Sequence, residues 1–139
     1  MKSEIEELLP HRAPFLFVDE IVEVSEERIV AKHVFTEKEF FFKGHFPAYP
    51  GVPGVILLET MAQSGGAGLR KLGVLGDPSP FFLASVDKVK FRRQVRPGDE
   101  LRSEIKNFKV SPNLIKQSGR AYVGEELAAE AEWLCLRPC

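Results

Sequence analysis

Cysteine is almost absent from this 139-residue chain; there are two, Cys135 and Cys139, both close to its end. So placed, they make no disulfide scaffold, and no group of His or Cys stands beside them to complete a zinc site. A dominant charge is missing too. Lys and Arg number 19 against 20 Asp and Glu, a formal net charge of −1, so bulk attraction to nucleic acid or to an anionic membrane is not expected. No strictly apolar run is long enough for a transmembrane helix. The opening segment MKSEIEELLP is acidic and lacks an apolar signal core, so a cytoplasmic protein is the expectation. Repeats and low-complexity linkers are absent. Tyrosine and tryptophan are scarce, two and one, against 11 Phe. That many rings imply a Phe-rich core, a ring-lined cavity, or an interface with another chain.

What is present is globular: 44% hydrophobic and 28% charged residues, in a length that suits one domain over 1–139. Ser3 with Glu6 forms a capping-box pattern ahead of a short helix at 4–9, stopped by Pro10. Residues 15–24, rich in Phe, Val and Ile, read as a strand, with 28–35 as its hairpin partner. Residues 39–54, EFFFKGHFPAYPGVPG, hold too many prolines and glycines for a helix or a central strand. Pro53 then opens a helix over 55–73 that ends at Gly73. This helix is apolar nearly all round until Arg70, so burial on most sides is expected. Gly65, Gly66 and Gly68 inside it each cost up to about 1 kcal/mol relative to Ala. Close approach of another backbone would account for them. Strands are read at 80–91, 99–110, 113–123 and 126–136, separated by Pro- and Gly-containing turns. In the last, Leu127, Ala129, Ala131, Trp133 and Cys135 share one face. Strands, one buried helix, then more strands predict an α+β fold, an antiparallel sheet curled around a central helix.

The chain has three histidines. His11 lies in a Pro-His-Arg-Ala-Pro segment, and His33 reads as an ordinary surface or edge residue of a strand. His45 differs, because it sits in an irregular loop between Gly44 and Phe46-Pro47, where a base can be held in place. A turn histidine bonded to nearby backbone is the plain alternative. Glu59 is the only acid between Glu39 and Asp77. On so apolar a helix a carboxylate is costly unless paired or protonated, and burial favours the protonated form that a general acid needs. An exposed stripe on the helix is the competing reading. Gln63, one turn on, is placed to hydrogen-bond Glu59. Gly54 stands at the helix start, where unpaired N–H groups could support an oxyanion, although a plain helix-start glycine is commoner. A base, an acid and an oxyanion site together suit proton abstraction beside a carbonyl followed by loss of a hydroxyl. Competing chemistry is unsupported. The Gly65–Gly68 run lies within a helix and lacks a phosphate-loop pattern, Ser64 has no nucleophile-elbow context, and no spacing fits a metal site.

Three blocks, LPHRAPFLFVDEI at 9–21, FFKGHFPAYPGVPGVILLETMAQ at 41–63 and FLASVDKVKFRRQVRPGDEL at 82–101, resemble the FabZ-type 3-hydroxyacyl-acyl-carrier-protein dehydratases over nearly the whole chain. The resemblance implies a hotdog fold, a sheet wrapped around a long helix, and a homodimer with two sites at its interface. A trimer of dimers is left open. It also implies dehydration of 3-hydroxyacyl carrier thioesters to trans-2-enoyl thioesters in fatty acid biosynthesis, without a cofactor or metal. His45 matches the family's catalytic histidine and Glu59, fourteen residues on, its catalytic glutamate, the two coming from opposite subunits. Gly54 matches the residue whose N–H binds the thioester carbonyl, and Gln63 the helix glutamine beside the glutamate. The family has a cis peptide next to the histidine, which marks the His45–Phe46 bond for inspection.

An acyl chain needs an apolar tunnel, for which Phe40, Phe41, Phe42, Phe46, Phe81, Phe82 and Phe91 are candidate walls, with ordinary core as the alternative for each. The acyl carrier protein is acidic, so Lys88, Lys90, Arg92, Arg93 and Arg96 are candidate docking residues; a solvated strand face is the alternative. Two departures from the family are visible. Lys38 replaces a frequent Asn, and the last hairpin, YVGEELAAEAEW, is slightly short. The rivals are a FabA-type dehydratase-isomerase, which carries Asp where this chain has Glu59, a hotdog thioesterase, and a non-catalytic carrier-binding subunit, which would need neither His45 nor Glu59.

Overall fold

The computed structural model describes residues 2–76 and 78–138. Its elements are α1 (Lys2–Leu8), β1 (Glu20–Val24), β2 (Arg28–Val34), a 3₁₀ turn (Phe40–Lys43), α2 (Gly54–Leu72), β3 (Phe82–Phe91), β4 (Glu100–Val110), β5 (Leu114–Val123) and β6 (Glu126–Leu136). The six strands form one antiparallel sheet in the order β1-β2-β4-β5-β6-β3. The helix α2 packs against β1, β2, β4, β5 and β6, the α+β layout expected. Among the described residues no helix is long and apolar enough to cross a membrane.

The ends of α2 follow from its flanking residues. Pro53, with φ −56° and ψ 140°, is the N-cap; its fixed φ and missing N–H suit a helix start. Gly73 closes the helix at φ 81°, a left-handed conformation that favours glycine, and its N–H reaches the Leu69 and Arg70 carbonyls. Between these caps, Ile56, Leu57, Leu58, Met61 and Leu69 are buried. Each contributes about 1.5–3 kcal/mol, enough to outweigh three internal glycines at about 1 kcal/mol each.

The register across the sheet explains those glycines. Ile29, Ile105, Gly119 and Ala131 face one another in a row across β2, β4, β5 and β6. A Cβ on Gly68 would meet the Ile29 side chain at 2.5 Å, and one on Gly65 would overlap the side chain of Gln117. The close neighbours are therefore side chains of the sheet, not a second backbone as expected from the sequence. Gly66 is less constrained, its nearest neighbour being Leu9 at 3.7 Å.

Two other expectations change. β1 starts at Glu20 rather than at residue 15, because the backbone groups of Phe15 and Phe17 bond a helix side chain instead of a strand. His33 is not a surface residue; it is 4% exposed. The capping box expected at Ser3 rests on a side chain that is not among those described.

Trp133, Phe17, Phe35 and Met61 are among the largest fully buried side chains of the core. A smaller cluster of Ile5, Leu9, Leu16, Val18, Ile21, Ala31 and Ala67 fixes α1 and the following segment against α2. The sheet edge at β3 is different. Nine of its ten residues are exposed, and Phe82, Leu83, Val86 and Phe91 are at least 41% exposed. A long, apolar, unpaired edge is a surface that strand pairing would cover.

Candidate active site

Glu59 lies on the one stripe of α2 that is not fully covered, Val55, Glu59, Ala62, Gly66 and Arg70, spaced three or four residues apart. The stripe reading and the site reading therefore coincide, because most of this stripe lines a cavity of about 70 Å³. Glu59, Ala62, Gln63, Gly66 and Arg70 supply the helix side. Leu75, Pro80, Phe81, Leu83, Ile115 and Cys135 supply mostly apolar walls, and His11 stands at the polar end. Burial first, and the Glu59 charge second, push the Cys135 thiol up to about 11.

Gln63 fixes the carboxylate. Its Nε2 donates to Glu59 Oε2 at 2.9 Å and to the Phe15 carbonyl at 3.1 Å, while its Oε1 accepts the Phe17 N–H at 2.8 Å. The bond to Glu59 is the one expected from the helical spacing. The two backbone bonds, across more than forty residues, have no local signal in the sequence. Gln63 is 2% exposed, so its rotamer is set by these partners. His11 Nε2 lies 3.6 Å from Glu59 Oε2, and its Nδ1 is buried without a hydrogen-bond partner among the described residues. Burial lowers the His11 pKa and the Glu59 charge recovers only part of that shift, so the ring is neutral near neutral pH. Sequence reasoning gave His11 no role; its place in the first of the family-like blocks was the available signal.

His45 follows the 3₁₀ turn and is held at both ends of its segment. Its N–H donates to the Phe41 carbonyl at 3.0 Å, and its own carbonyl accepts the Gly51 N–H at 3.0 Å. The ring stacks on Phe46 with centroids 4.1 Å apart, and the His45–Phe46 peptide bond is cis. His45 Nδ1 lies 3.0 Å from the Gly51 carbonyl oxygen. A carbonyl can only accept, so Nδ1 carries a proton, and in the neutral ring the lone pair is on Nε2. The structure does not bring His45 into the Glu59 cavity of its own chain: that cavity is not lined by His45 or Gly54.

Gly54 opens α2, and its N-terminus has no side-chain cap. A Cβ there would come within 2.9 Å of the Phe91 ring, so only glycine lets that ring cover the helix start. Of the other phenylalanines singled out, Phe81 lines the Glu59 cavity. Phe41 and Phe42 are buried in the main core, while Phe40, Phe46 and Phe82 are half-exposed or more. The basic segment is partly neutralised. Lys88 pairs with Glu132 at 3.5 Å, Arg92 with Glu130 at 2.6 Å and Arg93 with Glu126 at 3.1 Å, while Arg96 lies over the Tyr49 ring. Lys38 is exposed, with its N–H on the Thr36 hydroxyl at 3.4 Å.

Comparison with known proteins identifies the family and the fold. A family model described as a FabA-like domain matches residues 9–132. The 3-hydroxyacyl-[acyl-carrier-protein] dehydratase FabZ of Desulforamulus reducens is 49% identical over 131 residues, covering 94% of this chain and 92% of its own. FabZ of Pelotomaculum thermopropionicum is 46% identical over 132 residues, covering 94% and 93%. Among solved structures, the dehydratase heterocomplex ApeI:P of Xenorhabdus doucetiae superposes with a TM-score of 0.81 at 17% identity, over 97% of this chain and 91% of that one. The PaaI protein of E. coli superposes with a TM-score of 0.64 at 13% identity, over 85% and 82%. The structural likenesses establish the hotdog fold, and the sequence identities place the chain more narrowly: it belongs to the FabZ-type 3-hydroxyacyl-acyl-carrier-protein dehydratases, with a FabA-like domain.

Proposed function

We propose that this dehydratase acts as a homodimer in fatty acid synthesis, with His45 of one protomer and Glu59 of the other flanking a 3-hydroxyacyl thioester carried on an acyl carrier protein. His45 Nε2 removes a proton from C2. The thioester oxygen takes up charge and is met by the Gly54 N–H at the positive end of α2. The C2–H electron pair becomes the C2–C3 double bond as the C3–O bond breaks. The leaving hydroxyl takes the proton of the Glu59 carboxyl and departs as water. Transfer of one proton from His45 to Glu59, through solvent, restores both groups. His45, Glu59 and Gly54 need no redox partner for this reaction.

The observation that carries the reading is the fixed tautomer of His45. With Nδ1 committed to the Gly51 carbonyl, only Nε2 is free to act as a base. Two features support a second protomer. The Glu59 cavity is not lined by His45 or Gly54 of its own chain, and β3 leaves an apolar edge unpaired. The cavity walls, Phe81 among them, suit an acyl chain.

The test is turnover of 3-hydroxyacyl-carrier substrates followed by mass spectrometry. Loss of one water to a 2-enoyl product is expected, and H45A and E59Q variants that remain folded should each lose at least about a thousandfold in kcat. A shifted double bond would point to isomerase chemistry, and free acid to a thioesterase. Either as the main product, or substantial turnover by either variant, contradicts the assignment.

A further inference from the structure

His33 makes no contact with the Glu59 cavity, yet its surroundings are unusual. The ring is 4% exposed. Its Nδ1 lies 3.0 Å from Asp19 Oδ1 and its Nε2 3.0 Å from Glu39 Oε2. The carboxylates come from either side in sequence, Asp19 just ahead of β1 and Glu39 just ahead of the 3₁₀ turn. The remaining neighbours are apolar. The rings of Phe17 and Phe35 meet the imidazole edge-on at 5.8 and 4.6 Å, and Leu101 of β4 is its cross-strand partner. Glu20 and Lys38 line the groove outside. Two ionised carboxylates on one neutral imidazole would leave one ring nitrogen without a proton to donate, a costly arrangement in a buried place. An imidazolium donates to both.

What these carboxylates hold matters more than the ion pairs themselves. Asp19 Oδ2 accepts the Val34 N–H at 2.8 Å, which ties the 15–19 segment to β2. Two residues earlier, the Phe17 N–H bonds Gln63, the residue that orients Glu59. Glu39 stands at the start of the 3₁₀ turn, its carbonyl accepting the Phe42 N–H, and the Phe41 carbonyl of that turn accepts the N–H groups of both Gly44 and His45. One buried side chain therefore joins the segment behind the acid to the segment behind the base.

We propose that His33 is a positioning residue, a buried imidazolium clamp between Asp19 and Glu39 that holds the supports of Glu59 and His45 in register. The consequence rests on the mechanism given under Proposed function. Because the two groups of one chain then serve opposite sites, each clamp acts on both sites of the dimer. Burial pushes the ring toward its neutral form, but the hydrogen bonds and charges of Asp19 and Glu39 outweigh it, so its pKa lies above the ordinary value. The clamp thus stays closed to higher pH than an ordinary imidazole would allow and is lost as pH rises through that raised pKa.

Two measurements on the whole protein test this. Long-range proton–nitrogen NMR of the wild type should show both His33 nitrogens protonated at pH 7, and loss of one proton above it while the fold persists. In kinetics, H33Q should lower kcat about tenfold with little change in KM, because misplaced groups cost turnover before binding. H33K, which restores a cation, should recover most of that loss and move the high-pH limb of kcat upward. An unprotonated ring nitrogen at pH 7, wild-type kcat in H33Q, or no gain from H33K over H33Q overturns the clamp. The NMR result stands whether or not the protein dehydrates the substrate offered, so failure of the assigned reaction and failure of the clamp are read separately.

Discussion

Replacing Gln63 by Leu keeps most of the side-chain volume and removes all three of its hydrogen bonds. The three losses are not equal. Phe17 is fully buried, so its N–H, deprived of Gln63 Oε1, has no water to turn to. The Phe15 residue is 41% exposed and Glu59 faces a cavity, so solvent can replace those bonds. One orphaned buried donor costs about 1–3 kcal/mol. For a chain near this size that is a fall in Tm of roughly 2–12 °C, taking about 2–4 °C per kcal/mol. Catalysis should suffer separately, because Glu59 loses its fixed partner at 2.9 Å. A drop of about tenfold in kcat with KM nearly unchanged is expected for an acid that must find its own orientation. Urea melts and steady-state kinetics on the same preparations check both. A Q63L protein with wild-type kcat, and stability within about 0.5 kcal/mol of wild type, the range of an ordinary surface change, would refute the view that Gln63 links the 15–19 segment to the acid.

Two further outcomes follow from packing and titration. Gly68→Ala gains about 1 kcal/mol of helix propensity but drives a Cβ to 2.5 Å from Ile29; overpacking of about 1–3 kcal/mol should win, giving a lower urea midpoint, which Ile29→Val in the same protein should partly restore. Cys135, with its thiol pushed up to about 11, should resist alkylation at pH 8 in the folded C139S variant and react promptly in denaturant; fast labelling of the folded protein would contradict its placement in the cavity wall.

The parts of the fold governed by local chemistry were legible in the sequence. Pro53 and Gly73 bound the helix as the structure does, and β6 occupies the residues read for it, with Trp133 on the inward face. The pairing of Glu59 with Gln63 followed from helical spacing alone. Legibility ended where distant residues decide. Phe15 and Phe17 have strand-like composition, yet their backbone groups bond Gln63, so β1 begins five residues later than read. His33 stands between Lys32 and Val34 in sequence, which gives no sign that the fold encloses it with Phe17, Phe35 and two carboxylates. The glycines of α2 signalled a close approach correctly, but only the strand register identifies the intruders as Ile29 and Gln117.

The central claim is that base and acid meet across two chains, and subunit mixing tests it most directly. An H45A protomer retains Glu59 and an E59Q protomer retains His45. In a mixed dimer with sites shared across the interface, one site holds both lesions and the other is intact. Random re-association makes half the dimers mixed, each with one of two sites working, so about one quarter of wild-type activity should return from two inactive preparations. If His45 and Glu59 served the same site from one chain, every site would carry a lesion, and the mixture would stay as inactive as its parts.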